Sequence, residues 1–217
     1  MGRIKAVALL SGGLDSTLAI KIIKDQGVEV EALHFKTGLG LTDHQMALRG
    51  RKNYKSHALR AGAQLGIEVK VIDISDEYMA VVTNPKHGYG SAINPCIDCR
   101  ILMLKKAKEY MEKTGGHFII TGEVLRQRPM TQHLGTLRLI ERESGLDRLI
   151  VRPLSAKLLP PSIPEERGWI NRDKLYAISG RSRKEQMRLA QILGITHGYF
   201  IRLKRPNLSS FPTILRS

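Results

Sequence analysis

Apolar positions in the first half of the chain fall into two alternating rhythms. Residues 4–10 form a short, nearly continuous apolar run, which predicts a buried strand. Ser11-Gly12-Gly13 breaks that run. Over residues 15–24 the apolar side chains Leu18, Ile22 and Ile23 take helical spacing, and Gly27 is a natural stop. Residues 28–35 read as a second strand, followed by a Gly-rich loop over 36–43. Residues 45–65 read as a long basic helix ending near Gly66. Residues 68–74 alternate as a third strand. The spacing over 97–114 predicts a helix stopped by Gly115-Gly116, and residues 117–121 a fourth strand.

Strands alternating with helices specify an α/β fold built on a doubly wound, mainly parallel sheet. Ligands of such sheets bind beyond the carboxyl ends of the strands. Three loops fall there: 11–16, 35–40 and 121–123. After Arg126 the rhythm changes. Residues 138–150 suggest a hairpin, and 158–164 a proline-rich connection that is not regular helix. Residues 175–193 read as helix interrupted by the basic turn Gly180-Arg181-Ser182-Arg183-Lys184. The expected organisation is therefore a nucleotide-type domain over 1–150, with a small basic C-terminal extension over 151–217 packed on it.

Composition adds charge to this picture. A hydrophobic fraction of 42% is ordinary for a globular protein, but the formal net charge is +15. Such an excess attracts polyanions, of which nucleic acid is the commonest large one. An aromatic fraction of only 5% argues against a wide stacking platform for single strands. No apolar stretch approaches a membrane span, so no membrane partner is expected. The apolar run near the N-terminus is too short for a signal peptide, which makes the cytoplasm the expected compartment. Two cysteines, Cys96 and Cys99, are too few for a secreted disulfide scaffold.

The chemistry concentrates in Ser11-Gly12-Gly13-Leu14-Asp15-Ser16. A Gly-Gly turn between a strand and a helix leaves backbone N–H groups facing an open helix end, where the dipole favours phosphate. Ser11 and Ser16 add hydroxyl donors. Asp15 would repel a phosphate unless it holds Mg²⁺ or caps a neighbouring N–H. No Walker-type string is present, and Gly38-Leu39-Gly40-Leu41-Thr42-Asp43 lacks the third glycine of the dinucleotide fingerprint. The pair Cys96 and Cys99 falls at a predicted helix start, where the dipole favours a thiolate. Arg100, Lys105 and Lys106 stand nearby to add positive charge. A thiolate or persulfide there is a strong nucleophile. The same spacing also suits half of a zinc site, part of an iron–sulfur cluster completed by other ligands, or a pair of buried packing cysteines.

The loop over residues 11–16 resembles the signature of the PP-loop ATP pyrophosphatases, over roughly residues 4–125. The resemblance implies the adenine nucleotide alpha hydrolase type of fold and cleavage of ATP to AMP and pyrophosphate, with Mg²⁺. The nucleotide would be held by Ser11, Gly12, Gly13, Asp15, Ser16, Phe35 and Gly122. Asn94-Pro95-Cys96-Ile97-Asp98-Cys99-Arg100 resembles the Asn-Pro-Cys-x-x-Cys segment of bacterial tRNA 2-thiouridylases, where a cysteine takes part in sulfur transfer. Thr121-Gly122-Glu123 is similar to their Thr-Gly-His segment, with Glu123 in place of His. The distant second cysteine of those enzymes is absent, as is a recognisable N-terminal RNA-binding module of the 4-thiouridine synthetase kind. The chain therefore resembles a compact, divergent member of the tRNA-thiolating group. The implied roles are Cys99 as reacting sulfur, Cys96 as its partner and Asp15 as Mg²⁺ ligand. The implied partners are tRNA and a sulfur donor protein or sulfide.

Basic clusters fit the RNA expectation. Arg51 and Lys52 lie on the long basic helix, Arg126 and Arg128 follow the fourth strand, and Arg181, Arg183 and Lys184 form a third group. The segment from Gln127 to Gln132 falls where a substrate base would enter, and reads equally as a structured loop with a proline turn. The competing expectation is a small-molecule synthetase of the same fold that forms an amide or nitrile through an acyl-adenylate. The charge and the cysteine pair weigh against it.

Overall fold

The computed structural model describes residues 3–38, 57–89 and 96–196. Five parallel strands form one sheet in the order β3-β2-β1-β4-β5. They are β1 (Lys5–Leu9), β2 (Glu29–Lys36), β3 (Val69–Asp73), β4 (Phe118–Ile120) and β5 (Ile150–Val151). The helices are α1 (Leu14–Lys24), α2 (His57–Leu65), α3 (Ser75–Thr83), α4 (Cys96–Thr114), α5 (Leu134–Ser144), the single turn α6 (Ile163–Glu166) and α7 (Lys184–Ile192).

The run of apolar residues in β1 is explained by burial on both faces, as central parallel strands require. Ala6 and Ala8 join one core with Leu18, Ile22 and Ile23 of α1 and Ala58 and Ala61 of α2. Val7 and Leu9 face the opposite core with Leu104 of α4 and Ile140 of α5. The period of two sends alternate residues to opposite faces, and β4 repeats the device with Phe118 and Ile120 on one side and Ile119 on the other. The expected doubly wound parallel sheet is the observed one.

Residues past 150 share the first core. Leu154, Ala156, Ile170, Leu175, Ile178, Leu189 and Ala190 pack with α1 and β1. Three sequence expectations need correction here. Residues 138–150 do not form a hairpin: Leu137, Ile140 and Ser144 put helical spacing on one buried face of α5, which stops at Gly145, and β5 follows. Residues 175–183 are not helical. They run across the sheet end, where Gly180 N–H donates to the Leu125 carbonyl at 2.8 Å, and helix begins only at Lys184. Helix α3 is an addition that the sequence reading missed. The proline-rich connection does carry one helical turn, because Pro164 sits in its first turn, where a missing N–H costs nothing. The long basic helix is described only as α2; Arg51 and Lys52 lie outside the described residues.

The strand order reverses between β1 and β4, and the loops after these two strands meet there. A Cβ on Gly122 would stand 2.4 Å from the Ser16 nitrogen and 2.5 Å from the Ser16 Cα, closer than any side chain tolerates. Gly12 has φ +78°, and a Cβ there would stand 2.4 Å from the His57 carbonyl carbon. Glycines therefore let three backbones converge on one point. Gly122→Ala should lower the free energy of unfolding by about 1–3 kcal/mol through overpacking, read as an earlier midpoint in urea. A midpoint equal to that of the unsubstituted protein would show that the loops separate without cost.

Candidate active site

The reversal point opens into a cavity of about 610 Å³. Its lining brings together most of the residues the sequence marked. Ser11, Gly13, Asp15 and Ser16 come from the loop after β1, Phe35 from the end of β2, and Gly122 and Glu123 from the end of β4. Cys96, Cys99 and Arg100 come from the first turn of α4, and Gln127, Arg128 and Arg183 from the rim. Gly12 is buried behind this lining. Arg126, Arg181 and Lys184 are exposed outside it.

The loop from Ser11 to Ser16 is braced from within. Gly13 N–H donates to Ser11 Oγ at 3.3 Å, and the Ser11 and Ser16 hydroxyls lie 3.1 Å apart. Ser16 Oγ and Thr17 Oγ1 both donate to the Gly13 carbonyl, at 3.0 and 2.9 Å. Gly13 caps α1 without any side-chain hydrogen bond. The first N–H groups of α1 therefore have no intrahelical acceptor and face the cavity with the positive end of the helix dipole.

Asp15 divides its two oxygens. Oδ2 accepts from Gln127 Nε2 at 2.8 Å. Oδ1 is buried and has no hydrogen-bond partner among the described residues. A buried carboxylate oxygen without a donor is costly. It fits a Mg²⁺ ion, which takes carboxylate and phosphate oxygens together.

Glu123 is the centre of a buried charge network. Arg100 Nε donates to its Oε1 at 2.8 Å, Arg152 Nε to its Oε2 at 2.9 Å, and Thr121 Oγ1 to Oε2 at 3.1 Å. Arg152 also pairs with Glu141. Burial alone would push the Glu123 carboxyl up, but the two guanidinium groups hold it down at about 2. Glu123 is therefore a fixed anion at the cavity wall. It clamps Arg100 beside the cysteines. Removing one partner from such a network costs about 3–5 kcal/mol.

The cysteine pair departs from expectation in one respect. Cys99 is 6% exposed, and its thiol pKa is raised rather than lowered. Burial is the main cause, with Cys96 and Asp98 adding negative charge, while the Tyr78 hydroxyl opposes it. Two of the three cations expected to help are engaged elsewhere: Arg100 serves Glu123, and Lys106 pairs with Glu77 at 3.0 Å. Burial outweighs the helix dipole here. Among the described residues no group of three or more His, Cys, Asp or Glu side chains is placed to hold a metal ion. A zinc or iron–sulfur site at Cys96 and Cys99 would need further ligands from elsewhere.

Asp98, between the cysteines, locks the preceding turn to α4. The His87 main-chain N–H donates to Asp98 Oδ2 at 2.9 Å, and His87 Nδ1 pairs with Oδ1 at 2.7 Å. His87 Nε2 lies 3.1 Å from Glu143, which also binds Lys86 at 2.8 Å. No spacing in the sequence marks His87, because ion pairing across 11 and 56 residues leaves no local pattern. Asp98 foremost, with Glu143, raises the His87 pKa above the ordinary 6.5. The stability this contributes is full below that ordinary value and is lost as pH rises through the raised one. Melting of the unsubstituted protein and His87→Gln between pH 5 and pH 9 should show a gap that is widest at the acid end and closes with rising pH. A gap independent of pH would remove the ion pairing as its source.

Comparison with known proteins agrees with this geometry. The family model described as thiamine biosynthesis protein (ThiI) matches residues 2–157. The tRNA-specific 2-thiouridylase MnmA of Sulfurimonas denitrificans is 29% identical over 126 residues, 56% of this chain and 35% of that protein. The enzyme of the same name from Cutibacterium acnes is 32% identical over 100 residues, 44% of this chain and 27% of its own. The chain thus spans about a third of the length of these curated relatives. A solved 4-thiouridine synthetase–RNA complex with bound ATP superposes with a TM-score of 0.51 at 21% identity, over 88% of this chain and 51% of that one. A predicted subunit of tRNA methyltransferase from Methanocaldococcus jannaschii superposes with a TM-score of 0.50 at 15% identity, over 87% and 76%. These two share the fold. With the family model covering well over half of the chain and the braced loop after β1 at the sheet's reversal point, this protein belongs to the ThiI family of the PP-loop superfamily.

Proposed function

We propose that the protein is an ATP-dependent tRNA-modifying enzyme that replaces a base carbonyl oxygen by sulfur. The observation that carries this reading is the opening of the PP-loop and the cysteine pair onto one cavity. The names of the relatives and the RNA and ATP in the solved complex point the same way. So does a net charge of +15. Exposed Arg126, Arg128, Arg181, Arg183 and Lys184 ring the side where RNA would approach. Among the described residues no helix is long and apolar enough to cross a membrane, and cytoplasmic tRNA is the substrate proposed.

In this mechanism Ser11, Ser16 and the open N–H groups of α1 bind the ATP phosphates. Phe35 and Gly122 shape the nucleotide's bed. Asp15 Oδ1 would hold Mg²⁺, which neutralises charge on the phosphates. The base carbonyl oxygen attacks the α-phosphorus and pyrophosphate leaves. A persulfide on a donor protein passes its outer sulfur to Cys99, which leaves a Cys99 persulfide and releases the donor's thiol. The terminal persulfide sulfur attacks the activated base carbon, and AMP departs with the original oxygen. Cys96, one helical turn away, then attacks the Cys99 sulfur. That step releases the thiocarbonyl and leaves a Cys96–Cys99 disulfide, which a thiol reductant reopens. Arg100, held by Glu123, faces the negative charge that gathers on the departing AMP.

Two measurements test this. Asp15→Ala should lower RNA-dependent pyrophosphate release by ~10²-fold or more, as loss of one preorganised charge contact does. Release at the unsubstituted rate would remove Asp15 from the nucleotide site. Cys99→Ser should keep pyrophosphate release while abolishing thiolated nucleosides in digested tRNA, read by mass spectrometry. A Cys96→Ser, Cys99→Ser double variant that still thiolates tRNA would overturn the sulfur-transfer mechanism.

A further inference from the structure

Helix α7 carries a polar residue where its pattern calls for an apolar one. Its buried face is Gln186, Leu189 and Ala190, and Gln186 is 0% exposed. A buried amide is tolerated only when something needs it. Gln186 Nε2 donates to Gln127 Oε1 at 3.2 Å, and Gln127 Nε2 donates to Asp15 Oδ2 at 2.8 Å. The direction of this chain is set at its carboxylate end. An ionised carboxylate only accepts, so Gln127 must present its NH₂ to Asp15 and its carbonyl to Gln186. Gln186 must then present its own NH₂. Its Oε1 is left buried with no partner among the described residues, and an unsatisfied buried amide oxygen calls for an explanation beyond packing.

We infer that Gln186 is a positioning residue for the nucleotide site: through Gln127 it holds one oxygen of Asp15 and leaves the other free for the metal ion of a metal–nucleotide complex. The inference rests on the ATP reading above. A neutral amide suits the task. Lys or Arg at position 127 would fix Asp15 equally well but would neutralise the charge a divalent cation needs. Two amides in series instead orient the carboxylate and leave its charge intact. The anchor lies in the C-terminal segment, 171 positions along the chain from Asp15 by its own numbering, and one helical turn from the cavity-lining Arg183. Outer partners of this kind typically affect metal affinity by ~10–100-fold.

The test is binding of Mn²⁺ in the presence of ATP by the full chain, followed by electron paramagnetic resonance, with ATP-free thermal melting as a check of folding. Gln186→Leu keeps the volume close and removes both the donor and the unpartnered oxygen. It should melt near the unsubstituted protein yet bind Mn²⁺ with ATP at least ~10-fold more weakly, and pyrophosphate release should need correspondingly more Mg²⁺ at saturating ATP. A folded Gln186→Leu protein with unchanged Mn²⁺ affinity would overturn the positioning role. If Gln186→Leu does not fold, Gln127→Leu cuts the same chain on the cavity rim, and its unchanged or weakened affinity decides in the same way. Failure of the unsubstituted protein to bind Mn²⁺ with ATP would instead overturn the nucleotide reading itself, and the inference with it.

Discussion

The structure depends on one close approach: the backbone of Gly122 against that of Asp15 and Ser16. A parallel sheet whose order reverses between β1 and β4 leaves a crevice at that point. Whatever the crevice binds is shaped by how near the two following loops come. With no side chain at 122, they come within the width of a methyl group. That contact holds the N-terminus of α1 open toward the cavity and brings Glu123, the next residue, to the wall. Glu123 in turn sets Arg100, and Arg100 neighbours Cys99 on the same helix. The loop after β1 and the cysteine end of the cavity are thus linked through two consecutive residues.

Electrostatics divides the cavity by function. Around the loop after β1 the positive end of α1 and exposed Arg128 and Arg183 favour anions. Opposite lies a fixed buried anion, Glu123, whose charge is consumed by Arg100 and Arg152. Cys99 rests between, and its burial keeps the thiol protonated. A protonated resting thiol is protected from oxidation, which is compatible with the sulfur-accepting role proposed for Cys99. The clamp of His87 on Asp98 steadies the turn leading to this helix.

Much of this was legible because it is local. The apolar run of β1, the Gly-Gly break and the apolar spacing of α1 are consequences of neighbouring residues, and each element formed within a residue or two of where the pattern put it. The loop chemistry at Ser11, Gly12, Gly13, Asp15 and Ser16 is local as well, since an open helix start binds anions wherever it is placed. The start of α4 at Cys96 and the helical stop at Thr114 followed the same logic. Where short apolar stretches carry no decisive period, tertiary packing decided instead. Residues 134–144 became a helix because Leu137 and Ile140 had a core to enter, and residues 175–183 lost helix because Leu125 offered their backbone another partner.

The sequence by itself determined the fold class, the place of the glycine loop between β1 and α1, and the position of two cysteines at a helix start. It could not determine the state of those groups. A thiol's acidity depends on burial and on which cations are already engaged, and both are set by contacts from α3, β4 and β5. The partners of Asp15 lie 112 positions away at Gln127 and, beyond it, in α7. Hydrogen bonds of that reach leave no periodicity in a chain, because periodicity records only which face of an element is buried. The lone polar residue on the buried face of α7 was the one trace available. Only the folded chain, by bringing that helix against the loop after β4, gave the amide an acceptor.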